Sequence, residues 1–117
     1  MSIERVVPNI KSARFDESRA FYTEVLGFEI AMDMGWIVTF ASLTNPTAQV
    51  TLLGEPDSAT PHPNISIEVA DVDAIHARAV ARGLPIVYPL TDEPWGVRRF
   101  FIADPNGTVI NVMSHSK

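Results

Sequence analysis

The chain has no cysteine. That excludes disulfides, zinc-thiolate centres, iron-sulfur clusters and a cysteine nucleophile, and makes a reducing cytoplasm the expected setting. It also lacks any uninterrupted apolar run of the roughly 20 residues a membrane helix needs. The opening MSIERVVPNIKS mixes charge with short apolar runs and has no signal-peptide core, so neither export nor a membrane partner is expected. Basic residues are few: nine Lys and Arg stand against fourteen Asp and Glu, a formal net charge of −5. A phosphate backbone calls for a basic patch, so no nucleic-acid partner is expected. The three histidines, His62, His76 and His115, form no HxxxH or HxH pair. No nucleophile elbow, Ser-His-Asp order, glycine-rich phosphate loop or HExxH motif occurs.

What is present is an ordinary globular balance, 46% hydrophobic and 20% charged over 117 residues, which fits one domain with a real core. DESRAFYTEVLG reads as a helix: Asp16 is placed to cap, Phe21, Tyr22, Val25 and Leu26 recur at helical spacing, and Gly27 supplies the stop. DVDAIHARAVARG reads as a second, with Asp71 as cap, Val72, Ile75, Ala79 and Val80 as its apolar stripe, and Gly83 as its end. Each helix follows a strand, Val6 to Ile10 within a run from Ile3, and Ile65 to Val69.

Three strand-like runs follow each helix: Glu29 to Met32, Gly35 to Ser42 and Ala48 to Leu53, then Pro85 to Tyr88, Val97 to Ala103 and Thr108 to Met113. The chain is therefore a βαβββ unit written twice with a period of about 55 residues. The modules are expected at about 1–56 and 64–117, joined by a proline-rich linker over 57–63. The fold class is α+β, and 1–117 forms one domain.

Paired βαβββ modules, FYTEVLGFEI, VADVDAIHARAVARG and the final DPNGTVINV together resemble the glyoxalase/bleomycin-resistance/extradiol-dioxygenase family, the vicinal oxygen chelate superfamily. The resemblance spans essentially the whole chain. It implies a cupped mixed sheet with helices outside and a cavity inside. In metal-dependent members it also implies ligands at four cavity-facing strand positions, typically histidine or glutamine, glutamate, histidine and glutamate. Those positions fall here on Val7, Leu52, Asn64 and Asn111, none of them a good ligand, because amides offer a weak neutral oxygen and aliphatics offer nothing. Neither a metal nor another cofactor is expected, and Asn111 is read as a cavity hydrogen-bonding group. PWG followed by arginine and phenylalanine, with Val7-Pro8 on the first strand, resembles the drug-sequestering bleomycin-resistance branch, which implies a homodimer with ligand grooves between subunits. Those proteins are strongly acidic around the groove, and this chain is only moderately acidic.

The remaining candidates come from the residues themselves. On NISIEV, alternation sets Ile65, Ile67 and Val69 on one face and Asn64, Ser66 and Glu68 on the other. If the apolar face meets the helices, Glu68 lines the cavity and can hold a cation or, with a raised pKa, exchange protons. His62 with Glu68 is an off-pattern metal alternative. Trp36 and Phe40 share strand parity, and Trp95 precedes the Val97 strand, giving aromatic walls of the kind small-molecule sites use. A tight turn at Pro105-Asn106 pairs Phe100 with Asn111 and puts Arg98 on the same face, whereas a bulge puts Arg99 and Phe101 there instead. The expected function is metal-free binding of an aromatic or cationic small molecule by Trp36, Phe40, Asn64, Glu68, Trp95, Arg98, Phe100 and Asn111. The alternative is a lyase, isomerase or dioxygenase with a non-standard metal site, or an acid/base catalyst built on Glu68.

Overall fold

A computed structural model describes residues 2–54 and 61–115; positions 57–60 of the expected linker lie outside the described residues. The chain forms two compact units, Val7–Ala59 and Met1–Val6 with Thr60–Lys117. Each is a mixed sheet with a helix on one face, and each follows the βαβββ order read from the sequence.

In the Val7–Ala59 unit, strand β1 (Ile3–Lys11) contributes its second part. It is followed by α1 (Phe15–Ala20), a π-helical stretch over Phe21–Val25, β2 (Glu29–Asp33), β3 (Ile37–Ala41) and β4 (Gln49–Leu53). The order is β2-β3-β4-β1, antiparallel except where β1 runs parallel to β4. Val38, Phe40 and Leu52 form the buried cluster, covered by Phe15, Tyr22 and Phe28.

Asp16 does not cap α1. Arg14 is the cap residue and makes no side-chain cap bond, because Phe15 is drawn onto the core cluster and Ser12 Oγ already accepts the Arg14 amide. The π-helical stretch, marked by the Leu26 amide reaching back to the Phe21 carbonyl, also breaks the expected apolar stripe. Tyr22 reaches the core and stacks on Phe40 with centroids 5.1 Å apart, while Phe21, Val25 and Leu26 are exposed.

The second unit has β5 (Ile65–Val69), α2 (Val72–Ala81), β6 (Ile86–Glu93), β7 (Val97–Ala103) and β8 (Val109–His115), with the first part of β1 beside β5. The order is β1-β5-β8-β7-β6, and β5 is parallel to β8 whereas β8, β7 and β6 alternate antiparallel. Asp71 caps α2 as read, its Oδ1 accepting the Ala74 amide at 3.1 Å. Val72, Ile75 and Ala79 face a core of Val69, Phe100 and Val112. Val80 is exposed, since it lies one residue round from Ala79. Strand β6 continues past Tyr88, where the run read from the sequence ends, and through Pro89 to Glu93; as the outer strand, it carries a proline without losing a ladder bond on that side.

The β7–β8 hairpin settles the open register. Asp104 pairs its amide with the Thr108 carbonyl, Gly107 donates to the Asp104 carbonyl, and Asp104 Oδ1 accepts the amides of Asn106 and Thr108. Three residues, not two, form the loop, with Gly107 at φ 83° in the left-handed region that favours glycine. Phe101 therefore faces Asn111, and Arg99 faces Met113.

Candidate functional site

Because Phe100 and Val112 pack on α2, alternation sends Phe101, Arg99, Asn111, Met113 and His115 to the opposite face of the second unit, open in the sense that its helix does not cover it, although Phe101, Asn111 and Met113 are buried there. Ser66 and Glu68 join them, aligned with Asn111 and Met113 across β5–β8. This is the polar face expected from NISIEV, with different residues from β7. Arg98 and Phe100 are thus corrected. Phe100 is fully buried in the core. Arg98 lies on the helix side, bonded to Asp73 at 2.8 Å and to Asp92 at 3.1 Å. The Arg98 guanidinium holds the Asp73 carboxyl below the usual range, and Arg98 is itself raised by Asp73 first and Asp92 second.

Asn111 is 5% exposed. Its Nδ2 donates to Ser66 Oγ at 3.0 Å, and among the described residues its Oδ1 has no hydrogen-bond partner. Turning the amide over would only exchange an unmet acceptor for an unmet donor.

Glu68 is a hub. Oε1 lies 3.0 Å from Arg5 Nε and Oε2 lies 2.5 Å from His115 Nδ1. The histidine that meets Glu68 is therefore His115, not His62. The missed signal was parity: His115 shares the face of Asn111 and Met113 once β8 is carried to its end. His76 packs edge-on against Phe100 at 5.0 Å.

Arg99, which the sequence offers only as the register alternative, is surrounded by aromatic rings. Its guanidinium stands over the rings of Tyr88 and Trp95 at 5.2 Å each and of Phe101 at 4.9 Å. It also holds Glu93 Oε2 through Nε at 2.7 Å and Nη2 at 2.6 Å, and the Tyr88 hydroxyl donates to the same oxygen. Trp95 is thus on the expected unit, but one ring face is already occupied by a cation of the protein's own. Glu93 lies beyond Tyr88, where the run read from the sequence ends.

Asn64 is corrected as well. It is exposed and its Oδ1 accepts the Val109 amide at 3.3 Å, so it starts the β5–β8 ladder and does not line a cavity. In the other unit Phe40 is core, fully buried, and Trp36 lies just ahead of β3, at the surface. That unit has a cavity of about 270 Å³ between β1 and α1, with Lys11, Ser12, Ser18 and Tyr22 in its wall, on the helix side of its sheet.

The residues do not fit a divalent metal. Val7 is a buried aliphatic, and Leu52 is packed in the helix-side core with Thr51 on the opposite face. Among the described residues no group of three or more His, Cys, Asp or Glu stands together. Nor, among them, is any helix long and apolar enough to cross a membrane.

The chain is similar to a superfamily member from Vibrio splendidus, with 20% identity, 97% of this chain and 99% of that one covered and a TM-score of 0.73. It is also similar to a variant of Streptomyces coelicolor methylmalonyl-CoA epimerase in complex with 2-nitronate-propionyl-CoA, with 20% identity, 99% and 100% covered and a TM-score of 0.75. A hypothetical protein from Bacillus halodurans gives 14% identity, 100% and 97% covered and a TM-score of 0.78. No curated protein matches the chain. These structures share the fold. The family model described as the Glyoxalase/Bleomycin resistance protein/Dioxygenase superfamily matches residues 6–112, nearly the whole of both βαβββ units, and the chain belongs to that superfamily.

Proposed function

We propose that this protein binds a small molecule on the open face of its second unit without a metal, and that its role is sequestration of a drug or metabolite. Asn111 carries the reading. A buried polar atom without a partner costs about 1–3 kcal/mol, and a ligand group bonded to that amide removes the cost. Nothing comparable favours a cation. The aromatic cluster of Tyr88, Trp95 and Phe101 already holds Arg99, and Glu68 already faces Arg5 and His115, so the ligand is an aromatic molecule with a hydrogen-bonding group, stacking against the aromatic cluster at Trp95. A homodimer in the cytoplasm is the proposed form. The fully exposed strand β2, with Ile30 and Met32 uncovered, supports self-association, and sedimentation would show it.

The test is a tryptophan-fluorescence titration of metal-stripped protein against a panel of aromatic compounds. Saturable quenching is expected, weakened about tenfold or more in Asn111→Leu, the equivalent of about 1.4 kcal/mol. Binding that requires added zinc, nickel, manganese or iron, or equal affinity in Asn111→Leu and Trp95→Ala, overturns it.

A further inference from the structure

Glu68 and His115 are arranged differently from the other ion pairs. Three elements supply the group: Arg5 from β1, Glu68 from β5, His115 from the end of β8. Arg5 Nε stands 3.0 Å from Oε1 as a charge partner, without hydrogen-bond geometry at that nitrogen, and Oε2 is aimed at His115 Nδ1, 2.5 Å away. A carboxylate only accepts, so Nδ1 carries the proton, and in the neutral ring Nε2 is then the lone-pair nitrogen. The Arg5 and Glu68 side chains are 22% and 21% exposed, whereas that of His115 is 55% exposed. The holding end is sheltered and the working end is open. Among the described residues Nε2 has no partner.

We propose that His115 Nε2 is a general base for an acidic C–H or O–H group of a molecule on the open face, with Glu68 and Arg5 as positioning residues. The proposal rests on reading that face as the ligand face. Asn111 stands on the same strand and face four residues away, roughly 13 Å along β8, so a molecule engaging both is elongated. In the transfer, Nε2 takes the proton and the electron pair of the broken C–H or O–H bond stays on the ligand as its conjugate base. Glu68 steadies the imidazolium, and return of the proton to the ligand or to water restores the ring. No oxidant, reductant or metal is required.

A nitrobenzisoxazole probe isolates this step: the base removes the ring C–H proton, that electron pair completes a nitrile as the N–O bond breaks, and the ring opens to a single coloured cyanophenolate that carries the oxygen's charge. The whole protein is expected to accelerate this reaction saturably over buffer. His115→Gln should lower kcat by roughly tenfold or more. Glu68→Gln and Arg5→Gln should lower kcat with KM unchanged, a split that a merely structural role would not produce. Imidazole nitrogen NMR shifts should show the Nδ1–H tautomer, which is lost in Glu68→Gln. A wild-type rate no greater than buffer, a full rate in His115→Gln, or an Nε2–H tautomer overturns the proposal. Fluorescence quenching by aromatic ligands that persists alongside such a result would show that the dyad fails while the binding reading stands.

Discussion

Replacing Arg99 by methionine probes the most densely held side chain of the second unit. Methionine keeps much of the stem and its contact with Tyr88, Trp95 and Phe101, so the change removes mainly charge. Glu93, whose side chain is 8% exposed, would keep only the Tyr88 hydroxyl of its partners seen here. Stranding one member of a buried pair costs about 3–5 kcal/mol, with about 0.5–1 kcal/mol more for the lost attraction of guanidinium to ring faces. At roughly 4 °C per kcal/mol for a domain near this size, Tm should fall by about 14–24 °C. Urea and thermal unfolding followed by circular dichroism would read both. The double variant Arg99→Met/Glu93→Leu removes both charges and should recover most of the loss, because an apolar pair of similar volume is often as stable as the ion pair it replaces. A loss under about 1 kcal/mol in the single variant, or a double variant no more stable than the single, would refute the reasoning.

Phe100→Ala should cost about 3–5 kcal/mol, as for any fully buried ring in a core, whereas Val80→Ala, on the exposed side of α2, should stay within about 0.5 kcal/mol; similar urea midpoints would contradict the assigned faces. Acid should destabilise the protein in a defined direction. Arg19 lowers Asp33, Arg98 lowers Asp73, and the Thr108 and Asn106 amides lower Asp104 from the ordinary 3.8. With these pKa values depressed in the folded state, the unfolded chain binds more protons near and below pH 4. The stabilisation is therefore present above about pH 4 and drains away as pH falls further. Urea midpoints should be level through neutral pH and drop in acid, less steeply in Asp104→Asn; a flat profile down to pH 2.5 would sink this assignment.

The repeat, both helices and most strand limits were legible because they depend on local signals: periodicity, the Asp71 cap, and glycines beyond the helix ends, Gly27 and Gly83, both at positive φ. The faces of β5 were legible for the same reason, since period-two alternation needs no partner. The β7 residues on the open face were not, because they depend on loop length, and PNG can close either a two-residue or a three-residue turn. Asp104, by accepting two amides, selects the longer one, and that single added residue reverses Arg98 and Phe100 with Arg99 and Phe101. Pairings distant in sequence were the least legible. Arg5, Glu68 and His115 come from three elements, and nothing local in any of them names the other two.

The polar groups of the open face divide by how completely they are satisfied. Glu93 and Arg99 use each other, Tyr88 and three aromatic faces, an arrangement complete without a ligand and therefore part of the scaffold. Asn111 and His115 are each held at one end only: Nδ2 by Ser66 with Oδ1 unmet, Nδ1 by Glu68 with Nε2 open. A sheet selected only for stability would favour an aliphatic at a position as buried as Asn111, because a half-satisfied buried amide weakens the fold. Its neighbours Val112 and Met113 show that the strand accepts apolar side chains on both faces. The amide therefore costs stability that the fold does not require, and under the proposed function the stretch of β8 from this half-held amide to the half-held imidazole four residues on is where a ligand completes what the protein leaves open.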